Sequence, residues 1–195
     1  MAKLTLTHPL SDREPLVLRE VAARVRPQAK ILELRGDGAV LAKDFPHVLP
    51  DEPNSSREYA GWRALWLRPD GWLLTVAGDG HTLEHPFGSG AAQKLCRLTD
   101  VSHAMVCIAL SGSAARVLLA KGTPLDLRPD RFGAGQCART WCAGFTVLLD
   151  CHHTSIDIYV DTSFAVAFWQ WIGDAAEEFR SQGIDLRGSA WATSD

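Results

Sequence analysis

The side chains best suited to chemistry in this sequence are cysteines, histidines and serines, but their spacing argues against a shared site. Cys137 and Cys142 lie five residues apart, so on one strand they point to opposite faces, and no Cys-x-x-Cys pair occurs. The run Cys151–His153 also alternates between faces, which favours a polar hairpin tip over a metal site. Ser102 and His103 are adjacent, which disfavours a serine–histidine relay. We therefore expect no metal-binding and no catalytic residue on this chain.

Two glycine-containing segments match phosphate-binding loops only in part. Gly88–Gly90 precedes a predicted helix, but the third glycine of a G-x-G-x-x-G motif is missing. Lys121–Thr123 follows a predicted helix, whereas a Walker loop places Gly-Lys-Ser/Thr at a helix start. The nucleophile elbow G-x-S-x-G does not occur in the sequence. We expect no cofactor-binding residue on this chain.

The aspartates and cysteines are predicted to have structural roles rather than catalytic or metal-binding ones. The five cysteines are an odd number within apolar segments, which indicates reduced, mostly buried thiols rather than a disulfide framework. Six aspartates lie close to predicted turns, and the sequence predicts that most of them are solvated: Asp70, Asp100, Asp126, Asp130, Asp150 and Asp157.

The elements that would position these residues indicate an α+β protein. An N-terminal arm, 1–28, precedes a first half, 29–98, whose pattern reads β-α-β-β-α. A second half, 99–182, reads β-α-β-β-β-α, and a tail, 183–195, follows. Hairpins separate the helices, which disfavours a doubly wound parallel sheet. We predict two related ferredoxin-like halves with antiparallel or mixed sheets packed by helices.

In the first half, a hairpin has the clearest pattern. Strand-like segments Trp62–Leu67 and Trp72–Val76 flank Arg68–Gly71, where Pro and Gly suit a type I turn. Upstream, a strand at Lys30–Leu34 is followed by a helix at Ala39–Phe45. We also expect one or two helical turns in the arm and a helix from Gly88 through Leu98.

In the second half, a strand at Val101–Leu110 precedes a helix around Ala114–Lys121, for which Ser111–Ser113 offers a cap. Two strands between Gln136 and Asp150 hinge near Ala143 and Gly144, and a third strand covers 155–160. The last helix begins after Asp161 or Thr162 and ends at Gly183. Its apolar stripe, with a period of 3.6, comprises Phe164, Phe168, Trp171, Ile172, Ala175 and Phe179.

Seven tryptophans against two tyrosines are more than a core of this size normally uses. Tryptophan and arginine are enriched in protein interfaces and their hot spots. Trp169 lies about 160° from the apolar stripe of the last helix at 100° per residue, so it is a candidate contact for a partner. The other candidates for a subunit interface are Trp141, Arg128, Arg131 and Arg139; each arginine could equally be solvated or cap the core.

Composition excludes several classes of protein. The 195 residues carry a formal net charge of −3, and 20 basic residues are scattered among 23 acidic ones, which removes the electrostatic basis for nucleic-acid binding. A hydrophobic content of 46% is typical of globular proteins. The sequence shows no secretory leader and no apolar run near the roughly 18 residues of a membrane span. We expect a cytoplasmic protein.

Several segments, taken together, resemble the gamma subunit of heterotetrameric sarcosine oxidase. The resemblance covers roughly residues 29–179, and its segments follow in the family's order and spacing. This chain departs from the usual family pattern at Arg68, Gly71 and Ser113, which affects turn details. The matching segments are Ala64–Leu74, Thr99–His103, Leu110–Gly122, Pro124–Leu127, Cys137–Thr140 and Asp157–Trp171.

The resemblance implies a non-catalytic subunit with the folate-binding aminomethyltransferase fold. Its complex would oxidatively demethylate sarcosine to glycine, with hydrogen peroxide and methylenetetrahydrofolate as the other products. The resemblance also implies that FAD, FMN, NAD and tetrahydrofolate bind partner subunits and that none binds this chain. The partners would be the alpha, beta and delta subunits, with docking chiefly on alpha.

Two alternatives stay open at this point. The chain could keep a folate site and act alone as a tetrahydrofolate-binding one-carbon protein, although it is about half as long as the full transferase. It could also play the same supporting role in a complex that oxidises another N-methyl amine. The sequence does not separate these substrates, because substrate choice would reside in a flavin-bearing subunit.

Overall fold

The computed structural model describes residues 9–45, 47–77 and 96–181, which form two antiparallel sheets flanked by helices. The helices within these ranges are α1 (Gly38–Asp44), α2 (Ala115–Ala120) and α3 (Ala165–Ser181), and a 3₁₀ turn, Thr162–Phe164, leads into α3. The strands in the described ranges are β1 (Leu16–Val17), β2 (Ala22–Val25), β3 (Gln28–Gly36), β4 (Ser56–Tyr59), β5 (Trp62–Arg68), β6 (Gly71–Ala77), β7 (Cys96–Asp100), β8 (Met105–Ser111), β9 (Cys137–Cys142), β10 (Phe145–Cys151) and β11 (Ser155–Asp161).

The strand order gives one sheet of six strands and one of five. The first sheet runs β1-β2-β8-β11-β10-β9, and the second runs β4-β5-β6-β3-β7. Neighbouring strands in the described residues pair antiparallel throughout. The predicted α+β class, with hairpins between helices, is confirmed.

The two sheets pack face to face, and helices cover their outer faces. On the first sheet, Ile108 and Ile158 pack with Phe168 and Ile172 of α3. On the second sheet, Leu34, Trp72 and Leu74 form a core with Leu41 of α1. Alternate residues of both sheets meet in a third cluster, made of Ile31, Leu65, Leu73, Cys107, Cys137, Leu148 and Tyr159.

Several local predictions are confirmed. Strands β5 and β6 form the predicted hairpin, and β3 leads into α1 as predicted. The side chain of Asp37 caps α1 by accepting hydrogen bonds from the backbone N–H groups of Ala39 and Val40 at 3.0 and 3.2 Å. The order β8-α2-β9-β10-β11-α3 matches the predicted second half. Asp161 accepts a hydrogen bond from the Ser163 N–H at 2.8 Å before α3 begins.

In residues 9–28, the part of the N-terminal arm that the structure describes, the expected helical turns are wrong. The arm instead holds β1 and β2, and β2 pairs with β8, with Val25 opposite Ile108. Val21 and Ala23 alternate along the chain and are both buried in the core. Pairing with β8 gives the backbone N–H and C=O groups of β2 the hydrogen bonds that a helix would otherwise provide. The division of the chain at residues 28 and 98 stays a prediction, because strand pairing does not measure which segments fold independently.

Three boundaries between residues 96 and 115 also differ from the predictions. Cys96–Leu98 belongs to strand β7, which pairs with β3, so the predicted helix does not extend to Leu98; residues 88–95 lie outside the described ranges. The next strand starts at Met105 because Val101–Ala104 forms a turn closed by a 2.9 Å backbone hydrogen bond. Helix α2 has Ala114 as its N-cap without a side-chain hydrogen bond, so Ser111 and Ser113 do not cap it.

Gly112 sits where a side chain cannot be accommodated. Its φ is +104°, and an added Cβ would lie 2.3 Å from the carbonyl oxygen of Glu20. We expect Gly112→Ala to lower the free energy of unfolding by about 2–3 kcal/mol, from backbone strain together with the clash. Urea denaturation followed by tryptophan fluorescence measures this change.

Gly173 provides the matched control for that substitution. It lies inside α3, and an added Cβ would meet nothing within 4 Å. Gly173→Ala should therefore stabilise the protein by about 0.5–1 kcal/mol through helix propensity. Equal effects of the two substitutions would contradict the assigned geometry at Gly112.

Candidate interaction surface

The second sheet covers only part of the facing side of the first sheet. Alternation along β9, β10 and β11 places Cys137, Leu148 and Tyr159 on this side, where they are buried against the second sheet. The same alternation places Arg139 and Trp141 on this side, further along β9, where both are exposed. This end of the sheet therefore presents a side-chain surface that the second sheet leaves uncovered.

The uncovered surface is a groove of about 420 Å³, lined by Met105, Arg139, Trp141, Gly144, Phe145, Thr146, Val147, Leu148, Tyr159, Asp161 and Phe164; we call it the Trp141 groove. Trp141 is 62% exposed and Phe164 is 49% exposed, both unusually open for large apolar side chains. The Phe145 ring lies 5.7 Å from the Phe164 ring and 5.9 Å, edge-on, from the buried Phe168 ring. The core of the first sheet thus continues to the surface through a series of contacting aromatic rings.

The groove has charged groups beside its aromatic ones. In the described residues, the Arg139 guanidinium takes part in no ion pair. Asp161, the acid of the groove, accepts hydrogen bonds from both the N–H and the hydroxyl of Ser163, which lowers its pKa. Because Asp161 is committed to the start of α3, Arg139 is the charge available to a partner.

The five predicted interface residues do not form one surface. Trp141 and Arg139 meet in the groove. Trp169 is half-buried, packs against the core of the first sheet and lines a separate small pocket beside Leu16. Arg128 and Arg131 lie on the segment between α2 and β9, where they pair with the neighbouring acids Asp126 and Asp130. The part these three residues play in an interface stays a prediction.

The sequence did not identify Phe145 and Phe164, which form the aromatic wall of the groove. Phe164 was predicted to belong to the buried stripe of the last helix, which is wrong: it lies in the 3₁₀ turn before α3 and is half exposed. A stripe calculated at 100° per residue does not extend into a 3₁₀ turn, which advances 120° per residue. Phe145 follows the Ala143–Gly144 hinge, and that position is the one sequence signal that could have marked it.

A buried network of charges ties the two sheets together on this same facing side. The Arg63 guanidinium of β5 binds both carboxylate oxygens of Asp150 on β10, one of them at 2.7 Å. Ser56 donates its hydroxyl to the same carboxylate at 2.8 Å. Asp150 and Asp157 are buried at 0% and 2% exposure, so they are exceptions to the prediction that most of the six aspartates are solvated. They lie inside strands β10 and β11, where pairing and the opposite sheet cover them.

His152 connects the two buried acids. Its Nε2 lies 3.3 Å from a carboxylate oxygen of Asp150 and 3.3 Å from one of Asp157, so His152 is more than the polar hairpin tip predicted for it. Asp150 first and Asp157 second raise the pKa of His152 to about 9. Burial acts to raise the pKa of Asp150, but His152 and Arg63 outweigh it, and the pKa is lowered. Arg26 lies 3.1 Å from Asp157 and extends the network.

The network predicts a pH dependence of stability. The folded-state pKa of His152, about 9, exceeds its ordinary value of 6.5, so the stabilisation is complete below pH 6.5 and is lost as pH rises towards 9. It amounts to at most about 3–4 kcal/mol at 1.4 kcal/mol per pKa unit. Urea denaturation at pH 6, 7, 8 and 9 should show falling stability for the native chain. The curve for His152→Gln should be flatter over this interval.

Buried thiols make this comparison between variants necessary. Burial raises the pKa of Cys137 and of Cys142 to about 12, so unfolding at high pH is favoured by thiolate formation in both the native chain and the variant. Parallel curves for the native chain and His152→Gln would contradict the assigned role of His152.

The described ranges offer no group of three or more His, Cys, Asp or Glu side chains arranged to hold a metal ion. All five cysteines are free thiols, as predicted, and four of them are buried. Of the helices in the described ranges, none combines the length and apolar character needed to traverse a bilayer.

The class of fold follows from a solved structure. The chain superposes on the glycine cleavage system aminomethyltransferase T from Bartonella henselae with a TM-score of 0.52 over 73% of this chain and 42% of that one. At 18% identity, this likeness shows a shared fold. Two antiparallel sheets with outer helices are thus an aminomethyltransferase-like architecture.

The particular family is shown by sequence. The model of the "Sarcosine oxidase, gamma subunit family" matches residues 58–178, and the chain belongs to this family. It is 30% identical over 169 residues to sarcosine oxidase subunit gamma from Corynebacterium sp. (strain P-1), covering 86% of this chain and 83% of that protein. It is 32% identical over 177 residues to the subunit from Corynebacterium sp. (strain U-96), covering 90% and 86%.

A solved heterotetrameric sarcosine oxidase from Corynebacterium sp. U-96, in complex with pyrrole 2-carboxylate, contains a similar chain. The TM-score is 0.73 at 27% identity, and the alignment covers 89% of this chain and 96% of that one. The fold and the family predicted from the sequence motifs are confirmed.

Proposed function

We propose that this chain is the non-catalytic gamma subunit of a heterotetrameric sarcosine oxidase and docks on the alpha subunit through the Trp141 groove. The observation that carries the proposal is an exposed tryptophan beside an arginine that makes no ion pair in the described residues, on a sheet face that the second sheet does not cover, in a member of the gamma subunit family. The similarity to a chain of a heterotetrameric sarcosine oxidase supports the assembly. The beta and delta subunits complete the proposed complex.

The proposal assigns the chemistry to the partner subunits. Oxidative demethylation of sarcosine to glycine, with hydrogen peroxide and methylenetetrahydrofolate as products, belongs to the complex as a whole. FAD, FMN, NAD and tetrahydrofolate are bound by the partners, as the resemblance of the motifs to this family implies. This chain then contributes to assembly: its own charged network joins its two sheets and thereby fixes the shape of the surface it presents.

The groove has the composition of an interface centre. Trp and Arg are the residues most enriched among binding hot spots, and such residues gain most when they are desolvated in a pocket. Trp141 has 62% of its surface left to bury, and the Phe145 and Phe164 rings supply a wall against which an apolar side chain of a partner can pack. A carboxylate of the partner, close to that apolar side chain, would form an ion pair with the Arg139 guanidinium.

Replacing Trp141 tests this docking surface. We expect Trp141→Ala to weaken binding to the alpha subunit by about 30-fold or more, which corresponds to roughly 2 kcal/mol. The unfolding free energy should change by less than about 1 kcal/mol, because most of the side chain is already in solvent. Biolayer interferometry of the immobilised variant against the purified alpha subunit measures the affinity.

Tyr59→Ala is the matched control. Tyr59 is an aromatic residue on β4, 45% exposed and outside the groove, so its loss should leave the affinity within about twofold. An equal loss of affinity for Tyr59→Ala, or an unchanged affinity for Trp141→Ala, would place the docking surface elsewhere. If each of these variants still assembled into the complete complex, Trp169 would be the next residue to replace.

A further inference from the structure

We propose that a second cavity, at the end of β2, binds a small organic anion through Arg13, Arg24 and Arg26. The cavity has a volume of about 520 Å³, which lies within the roughly 300–1,000 Å³ typical of small-molecule sites. It shares only Met105 with the Trp141 groove. The site is therefore separate from the surface proposed for docking, and its occupancy does not depend on that proposal.

Three segments of the chain hold the walls of the cavity in place. Strand β2 pairs with β8 as far as Val25, and the Arg26 N–H then donates to the Cys107 carbonyl at 2.9 Å. Beyond Pro27 the chain enters β3, which pairs with β6 and β7 of the second sheet, so the chain leaves β8 at this point. Leu10 is buried, and its carbonyl accepts a hydrogen bond from the Arg13 N–H at 3.1 Å, which closes a turn in the wall of the cavity.

The cavity carries positive charge without an acid among the residues that line it. The side chains of Arg13 and Arg24 make no ion pair or hydrogen bond in the described part of the chain. Arg26 reaches Asp157 with one terminal nitrogen, at 3.1 Å, but its Nε is buried and has no hydrogen-bond partner among the described residues. The positive charges of these three guanidinium groups would attract an anion into the cavity.

The residues that line the cavity indicate which class of ligand it binds. The guanidinium group matches a carboxylate or a phosphate with two parallel hydrogen bonds, whereas Val25, Val106 and Pro27 offer the ligand an apolar surface. The ligand is thus a carboxylate or phosphate on an apolar body. The first eight residues of the chain carry Lys3 and no Asp or Glu, so their side chains provide no anion for the site.

Titration of the full-length chain, followed by amide NMR, tests the site. The probes are 3-phenylpropionate, phenyl phosphate and the neutral 3-phenylpropanamide. We expect saturable shifts of the Val25, Val106 and Cys107 amide signals with a dissociation constant of about 1 mM or tighter for an anion, and at least about tenfold weaker binding of the neutral amide. The stronger of the two anions identifies the headgroup.

Charge-removing variants locate the contact. Arg24→Gln and Arg13→Gln should each weaken anion binding by about tenfold. Arg19→Gln is the control, because it removes the same charge from the same exposed arm but does not line the cavity. The proposal is overturned if the neutral amide binds as tightly as the anions, if Arg19→Gln has the effect of Arg24→Gln, or if no saturation occurs by about 10 mM. Since either arginine variant suffices, one that fails to fold leaves the other to decide.

Discussion

Replacing Asp150 with alanine is expected to lower the free energy of unfolding by about 3–5 kcal/mol, as removal of one partner from a buried ion pair does. The carboxylate is fully buried and accepts hydrogen bonds from Arg63 and Ser56, which come from the opposite sheet. Its removal leaves Arg63 between the sheets without a counter-charge and leaves His152 with Asp157 alone. Urea denaturation at pH 7, followed by tryptophan fluorescence, measures the loss.

Two further variants test whether the buried charge is the cause. Asp126→Ala removes an acid from the exposed pair with Arg128, and we expect it to leave stability nearly unchanged. The double variant Arg63→Met/Asp150→Leu removes both charges of the buried pair and should lose less stability than Asp150→Ala, since no unpaired charge remains. A loss under about 1 kcal/mol for Asp150→Ala would contradict the assigned role of the network.

Phe168→Ala is expected to cost about 3–5 kcal/mol, as is usual for a buried phenylalanine. Phe168 is fully buried on the inner face of α3, stacks on Trp171 with ring centroids 5.5 Å apart and meets the Phe145 ring edge-on. Truncation opens a cavity between the last helix and the first sheet that the surrounding strands cannot close. The midpoint of urea denaturation should fall while the slope of the transition is unchanged.

Phe164→Ala serves as the control, since it is the same substitution four residues earlier in the chain. Phe164 is half exposed, so its loss should cost less than about 1 kcal/mol. The same variant should nevertheless weaken binding of the alpha subunit if the aromatic wall of the Trp141 groove is part of the interface. Equal destabilisation by the two phenylalanine substitutions would contradict the assigned burial of Phe168.

Local sequence signals predicted much of the architecture. The turn chemistry of Arg68–Gly71 marked the hairpin of β5 and β6, and the 3.6-residue stripe marked α3. Residue type selected Trp141 and Arg139 as interface candidates, and both are exposed. These features depend on residues close together in sequence, so a single sequence carries them.

The features that were missed depend on contacts between distant parts of the chain. Asp150 is buried because Arg63, 87 residues earlier, lies opposite it on the other sheet, and no local pattern distinguishes it from a turn acid. Cys96–Leu98 forms a strand because β3 offers an edge for pairing. The arm forms β2 for the same reason, with β8 as its neighbour. In each case tertiary pairing overrides the local propensity.

The open face of the first sheet explains why a chain of this family would need partners. Two sheets of six and five strands do not overlap completely, so the second sheet does not cover the end of β9 that carries Arg139 and Trp141. A sheet face with exposed aromatic residues is a site at which a partner protein can bind by burying apolar surface. This geometry connects the sequence, the fold and the proposed assembly role.

Co-expression of a tagged form of this chain with the oxidase subunits encoded beside it tests the central claim most directly. The tagged material is separated by gel filtration, and the stoichiometry and flavin absorbance of each peak are measured. We predict that this chain co-elutes in equal amounts with flavin-bearing subunits and that Trp141→Ala shifts it to a separate, colourless peak. Elution of the native chain alone, with the flavin-bearing subunits assembled without it, would contradict the proposed subunit role.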